Sequence, residues 1–174
     1  MTLYSDIFSI RPEDKVPGKG KVLISEPFLS DRFFNRTIVF LTEHGPEGSV
    51  GYILNRVLEL RVNTAVEELE GWEENLSIGG PVSSDTLHYL HSLGEKVPGS
   101  RLVVPGIWWG GDLDVIRSLI NAGKVTRDQL RFFLGYSGWS KGQLTKELKD
   151  NSWVIATVQN DVIMKSRGDV WKDV

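Results

Sequence analysis

At 174 residues, with 20 lysines and arginines against 23 aspartates and glutamates, the chain is mildly acidic, with net charge −3 and pI about 5.6. Its 40% hydrophobic and 25% charged content excludes a disordered chain, and one domain of this length buries about 70% of its unfolded surface without a covalent staple. It has no cysteine, which excludes a disulfide framework, a thiolate nucleophile and a cysteine-ligated zinc or iron–sulfur site.

Residues 1–20 read as a lead-in, anchored by Ile7, Phe8 and Ile10 and kept irregular by Pro12, Pro17 and Gly18. The start carries Asp6 and no basic-then-apolar run, so it does not read as a signal peptide. The longest apolar run, Thr37–Leu41, falls far short of the ~20 residues of a bilayer span. The expectation is a cytoplasmic protein with no membrane partner. Lys21–Ser25 reads as a buried strand, and Thr37–Glu43 and Ser49–Asn55 as a hairpin joined by His44-Gly45-Pro46-Glu47-Gly48. Gly51 inside the second strand implies a bulge or a close backbone neighbour.

Asn63 or Thr64 can cap a helix carrying Ala65, Val66 and Leu69, which Gly71 ends. Leu76–Ile78 is a short strand entering Gly79-Gly80-Pro81-Val82, and periodicity leaves Thr86–His91 open between strand and helix. Arg101–Val104 and Ile107–Trp109 are strands broken at Pro105-Gly106. A helix opens at Asp112 and ends at Gly123. Gln129–Tyr136 is a strand, Ser140 can cap a helix over Gly142–Lys149, and Trp153–Val158 pairs as a hairpin with Val162–Met164. Asp169–Val174 starts a helix that is cut short. The pattern specifies a single α+β domain over 1–174, with a mixed or antiparallel sheet and few helices.

The chemistry-bearing residues are sparse. His88 and His91 share a helical face at i, i+3 but opposite faces of a strand, and no HExxH-type spacing exists, so no metal and no cofactor is expected. Tyr136-Ser137-Gly138 lacks the Gly-x-Ser-x-Gly elbow of hydrolases. Gly79-Gly80 and Gly110-Gly111 match neither phosphate-loop motif and suit tight turns better. An antiparallel hairpin would bring Asn35-Arg36 and Asn55-Arg56 together at one end. There they either hold a carboxylate or phosphate through bidentate hydrogen bonds or close the strand ends onto Glu26, Asp31 or Glu59. The acidic balance, with no helix-turn-helix or basic helix, argues against direct DNA binding.

GKVLISEPFLSDRFFNRTIVFLTEHGPEGSVGYILNR (Gly20–Arg56), then GGPV (Gly79–Val82), Leu90-His91 and GYSGWSKGQLTKELKDNSW (Gly135–Trp153) resemble, in order, the blocks of the bacterial YqgE/AlgH family. Ser49 stands where members usually carry alanine, and Val170–Val174 is similar to the start of the family's last helix. The resemblance implies a small closed β-barrel-like core surrounded by helices and no established enzyme activity, in a family whose members are often labelled transcriptional regulators. Combined with the residues, it gives a non-catalytic binding or regulatory protein acting indirectly, whose partner is an unknown small anion or a protein. Arg36 and Arg56 would hold the anion and Asn55 orient it, with His44 and His91 nearby. Gly80 and Pro81 of one loop, and Trp139 and Gln143 of another, would wall the site. The alternative is an enzyme acting on a small anionic or nucleotide substrate, with His44 or His91 as general base beside a carboxylate such as Glu43.

Overall fold

Apolar runs rich in Val, Ile and Phe, cut at short intervals by Gly, Pro and Asn, become strands here more often than helices. The computed structural model describes residues 8–9, 16–29, 31 and 33–165. In chain order the elements are β1 (Phe8–Ser9), β2 (Val22–Ser25), β3 (Ile38–Gly45), β4 (Gly48–Ile53), β5 (Val57–Arg61), α1 (Val62–Ala65), β6 (Asn75–Ile78) and β7 (Val82–His91). They continue as β8 (Arg101–Val104), β9 (Ile107–Trp109), α2 (Leu113–Asn121), β10 (Leu130–Ser140), α3 (Gln143–Lys149), β11 (Trp153–Val158) and α4 (Asn160–Met164).

The strand path runs β1-β11-β2-β3-β4-β10-β7-β9-β8, with β5 and β6 branching from β10. The β6–β10 pair is parallel and the others antiparallel, which makes the domain mixed α+β. Among the described residues β1 and β8, the ends of the path, do not pair, so the sheet is open where the resemblance implied a closed barrel. Side chains complete the curl instead. Val103 and Ile107 of the β8–β9 hairpin share one core with Val22 and Ile24 of β2 and Val162 of α4. A second core gathers Val62, Leu69, Trp72, Ile116 and Phe132, and a third packs Trp139, Leu144 and Trp153 behind the β3–β4 hairpin.

β10 reaches four residues beyond the expected end at Tyr136. Gly135, at φ 69°, bulges the strand, so that its first part pairs with β7 and its last four residues pair with β4. Thr86–His91 resolves as strand, within β7. The expected helix at Ala65–Leu69 is only α1 and a 3-10 turn, because Val66 is extended at φ −127°, ψ 100°. Val162–Met164 is not the second arm of a hairpin but part of α4. All three residues are buried, which alternating strand side chains could not achieve on one face. The end of α3 also departs from expectation: Gly142, in the left-handed region, is its N-cap, while Ser140 is bonded through its N–H and hydroxyl to Gln143 Oε1. The helix start expected at Asp169–Val174 lies outside the described residues.

At the junction of these layers Arg131 of β10 is 1% exposed. Its Nη1 donates to the Ile163 carbonyl at 2.8 Å, and its Nη2 donates to the Leu54 carbonyl and to Ser77 Oγ. The guanidinium lies 4.7 Å from the Phe133 ring centroid. Burial lowers its pKa to about 9, so it is a cation at neutral pH. Arg131→Ala, which opens a cavity and orphans two buried carbonyls, is expected to destabilise the fold by about 3–5 kcal/mol in urea denaturation. A loss below about 1 kcal/mol would show that the junction closes without it.

Candidate functional site

The β3–β4 hairpin brings Asn35-Arg36 and Asn55-Arg56 to one end, as the spacing requires. The bonds made there are structural. Asn55 is 8% exposed; its Oδ1 accepts from the Ile38 N–H at 3.0 Å and its Nδ2 donates to the Arg36 carbonyl at 2.9 Å. Arg36 itself is held at φ 53°. Arg56 donates to the Asn35 carbonyl at 3.2 Å and lies 4.8 Å over the Phe33 ring, while partial burial lowers its pKa against the opposing pull of Asp31. The amide expected to orient an anion is thus committed to latching the chain that enters β3 onto the chain that leaves β4.

His91 is fully buried on β7. Its Nε2–H donates to the Gly110 carbonyl at 2.9 Å and its Nδ1 accepts from the Leu93 N–H at 3.2 Å, which requires a neutral ring. His88 takes a different partner, Tyr52 Oη at 3.0 Å, and Tyr52 Oη accepts from Trp109 Nε1 at 2.9 Å. Tyr52 Oη and His88 Nδ1 share that hydrogen bond, and His88 Nε2 is buried with no hydrogen-bond partner among the described residues. Desolvation raises the Tyr52 phenol well above its usual range and lowers both imidazoles. Neither ring is free to act as a base on a bound substrate.

The expected walls divide in the same way. A Cβ on Gly80 would lie 2.1 Å from the Tyr136 carbonyl, so the glycine pair lets this loop press onto β10, where Ser137 Oγ donates to the Gly79 carbonyl. Pro81 is exposed beside it. Trp139 is 5% exposed, and its indole shares Glu147 Oε1 with that of Trp153 at 3.2 and 2.9 Å. Its ring belongs to the core and offers no open stacking face. Gln143 is exposed, with its carbonyl oxygen turned back onto Ser140.

One cleft of about 390 Å³ lies beside α4, between Ser92, Gly106, Asp128 and Asn160, and three others lie at the other end of the hairpin. His44 is six residues along β3 from Ile38, about 20 Å away from the arginine end. Three clefts meet around this tip. The first, about 510 Å³, has a floor of Val50, Val82 and Tyr136 and a rim of Glu43, Glu47 and Gln143. The second, about 530 Å³, lies between His44, Pro46 and Ser49 on the hairpin and Lys141, Gly142 and Thr145 across from it. The third, about 280 Å³, is bounded by Lys19, Thr42, Glu43, His44, Arg101 and Trp109. His44 borders two of them and is held by a 2.6 Å hydrogen bond between its Nδ1 and Ser49 Oγ. So Gln143 and Trp139 line the first cleft and His44 the other two, whereas Gly80, Pro81, Arg36, Asn55, Arg56 and His91 line none of the three. Lys19 and Arg101 were not expected. Arg101 faces Trp109 across the β8–β9 pair, a cross-strand cation–aromatic neighbour that the Pro105-Gly106 turn already implied. Among the described residues no group of His, Asp and Glu is arranged to hold a metal, and no helix is long and apolar enough to cross a membrane.

An open, curled α+β sheet with clefts around one hairpin tip defines the architecture. The chain belongs to the AlgH-like family, whose model matches residues 22–174. It is 42% identical over 175 residues to a UPF0301 protein of Bacteroides thetaiotaomicron, covering 99% of this chain and 88% of that one. A UPF0301 protein of Chlorobium phaeobacteroides is 46% identical over 144 residues, 83% of this chain and 77% of the relative. The solution structure of the AlgH protein of Pseudomonas aeruginosa superposes with a TM-score of 0.74 at 25% identity, over 94% of this chain and 88% of that one. A crystal structure from Corynebacterium diphtheriae shares the fold, with a TM-score of 0.76 at 21% identity, over 91% and 85%.

The fully buried His91 and half-buried His88 imidazoles give the fold an acid limit. Because burial lowers both folded-state pKa values, the unfolded chain binds more protons as pH falls below about 6.5. The stability they contribute is complete above that pH and is lost as pH falls through the folded values. Urea midpoints are expected to drop between about pH 7.5 and pH 5, and His91→Leu, though less stable at neutral pH, should give a shallower slope. An unchanged slope would show that His91 does not titrate with unfolding.

Proposed function

We propose that this is a cytoplasmic binding protein with a regulatory output through a partner, without a chemical step of its own, and that its ligand occupies the clefts around the β3–β4 hairpin tip. One observation carries the reading: three clefts converge on a tip where Glu43, Glu47 and Lys141 stay exposed, while Asn55 and His91, the polar groups expected to serve a ligand, are bonded within the fold. Charges at the tip are mixed, Glu43 and Glu47 against Lys19, Arg101 and Lys141, which suits a small ligand or peptide better than a duplex backbone.

One contact favours the second reading, an enzyme for a small anionic substrate. The 2.6 Å pair of His44 Nδ1 and Ser49 Oγ is a hydroxyl beside a potential base. Ser49 is only 5% exposed, however, and among the described residues no carboxylate is hydrogen-bonded to His44. The pair therefore supports ring positioning more than nucleophile activation.

A thermal-shift screen against nucleotides, phosphorylated metabolites and carboxylates tests the reading. A ligand at about a hundred times its Kd stabilises by about 2.7 kcal/mol, a rise of roughly 5–10 °C for this size. The hit is expected to weaken in His44→Ala and persist in Arg36→Ala. The reverse pattern would move the site to the far end of the hairpin. Turnover of the hit that His44→Ala abolishes would establish the enzyme instead.

A further inference from the structure

We infer that the smallest of the three clefts is an oxyanion site, in which Lys19 and Arg101 take the phosphate or carboxylate end of the ligand, an inference that rests on the hairpin-tip reading above. The case begins with Arg101. Its guanidinium lies 4.3 Å over the Trp109 ring, and no carboxylate lies within 4.0 Å of it among the described residues. The ring beneath it is itself fixed, because Trp109 Nε1 donates to the hydroxyl of the fully buried Tyr52. A rigid chain from the core thus holds an otherwise exposed cation at the cleft, so little side-chain freedom remains to be lost on binding.

The second cation comes from the other side. Lys19 spends one N–H on the Leu102 carbonyl at 3.3 Å, which ties its ammonium to β8 beside Arg101 and leaves two donors free. His44, held by Ser49, lines the same cleft. Two permanent cations therefore face one carboxylate, Glu43, on a chain whose net charge is −3. A planar fork of N–H donors beside an ammonium matches the paired oxygens of a phosphate or carboxylate.

Size limits what enters. About 280 Å³ is below the usual range for a whole small-molecule pocket, so the cleft takes a terminal group. Glu43 also lines the 510 Å³ cleft, whose apolar floor of Val50, Val82 and Tyr136 lies along the path the remainder of the ligand would follow.

The test is an NMR titration of the full chain with inorganic phosphate and, separately, acetate, at constant ionic strength against a sodium chloride control. Saturable shifts at the Arg101 Nε–H and the Trp109 indole N–H are expected below about 50 mM anion, at least tenfold weaker in Arg101→Gln and in Lys19→Gln and unchanged in Arg36→Gln. A response to phosphate alone assigns the phosphate source, and a response to acetate alone the carboxylate source. Shifts equal to those in chloride, shifts that survive Arg101→Gln, or no saturable shift would overturn the site. The two readings fail separately. A screening hit that moves Val82 and Tyr136 but not Arg101 keeps the hairpin-tip site and removes the oxyanion. A hit that moves only the Asn35–Arg56 end removes both.

Discussion

Inside the sheet a guanidinium is enclosed, and among the described residues no carboxylate neutralises it. Taking a cation out of water costs several kcal/mol, and carbonyls of Leu54 and Ile163 and the hydroxyl of Ser77 replace the water lost at both Nη atoms of Arg131, while its Nε has no partner among the described residues. Those oxygens belong to the residue that follows β4, to α4 and to β6, parts distant in sequence that must arrive together. The same strand, β10, pairs with β7 on one edge and with β6 and then β4 on the other. Arg131 therefore couples the two halves of the sheet to the closing helix, and the placement of the β3–β4 hairpin follows from it.

Polar side chains of this protein divide by how much water they keep. Where a donor and an acceptor on different elements close on each other, as with Asn55, His91 and the Trp109–Tyr52–His88 relay, the bond fixes a register and the group is lost to ligand chemistry. At the hairpin tip the strands run past the packed cores. Glu43, Glu47 and Arg101 stay exposed there, and the backbone beneath them is held by the β4–β10 ladder. Exposed chemistry on a rigid frame is the arrangement expected of a binding site.

The relay also connects the two kinds of site. Tyr52 sits in the principal core, yet its hydroxyl positions Trp109, whose ring supports Arg101 at the surface. A change in core packing near Phe133 or His88, both in ring contact with Tyr52, would be felt at the cleft through two contacts.

Much of this was decided locally and is legible in the chain. Strands read over Lys21–Ser25, Thr37–Glu43, Ser49–Asn55 and Trp153–Val158, the turn at Pro105-Gly106 and the Asp112 cap follow from β-branched runs, turn residues and a side chain that bonds its own backbone, although the hairpin ladder runs on through His44, Gly45 and Gly48, whose composition reads as loop. The meeting of Asn35-Arg36 with Asn55-Arg56 was equally legible, because antiparallel pairing brings hairpin ends together whatever surrounds them. Tertiary structure alone decided what those residues do. Whether an amide such as Asn55 faces a ligand or a backbone N–H depends on a neighbour seventeen residues away. Whether Arg131, the single charge in an apolar strand, lies inside or outside depends on carbonyls 32 and 77 residues distant. The open sheet and the clefts at the tip arise in the same way, since periodicity records which face of an element is apolar but not which distant element will cover it.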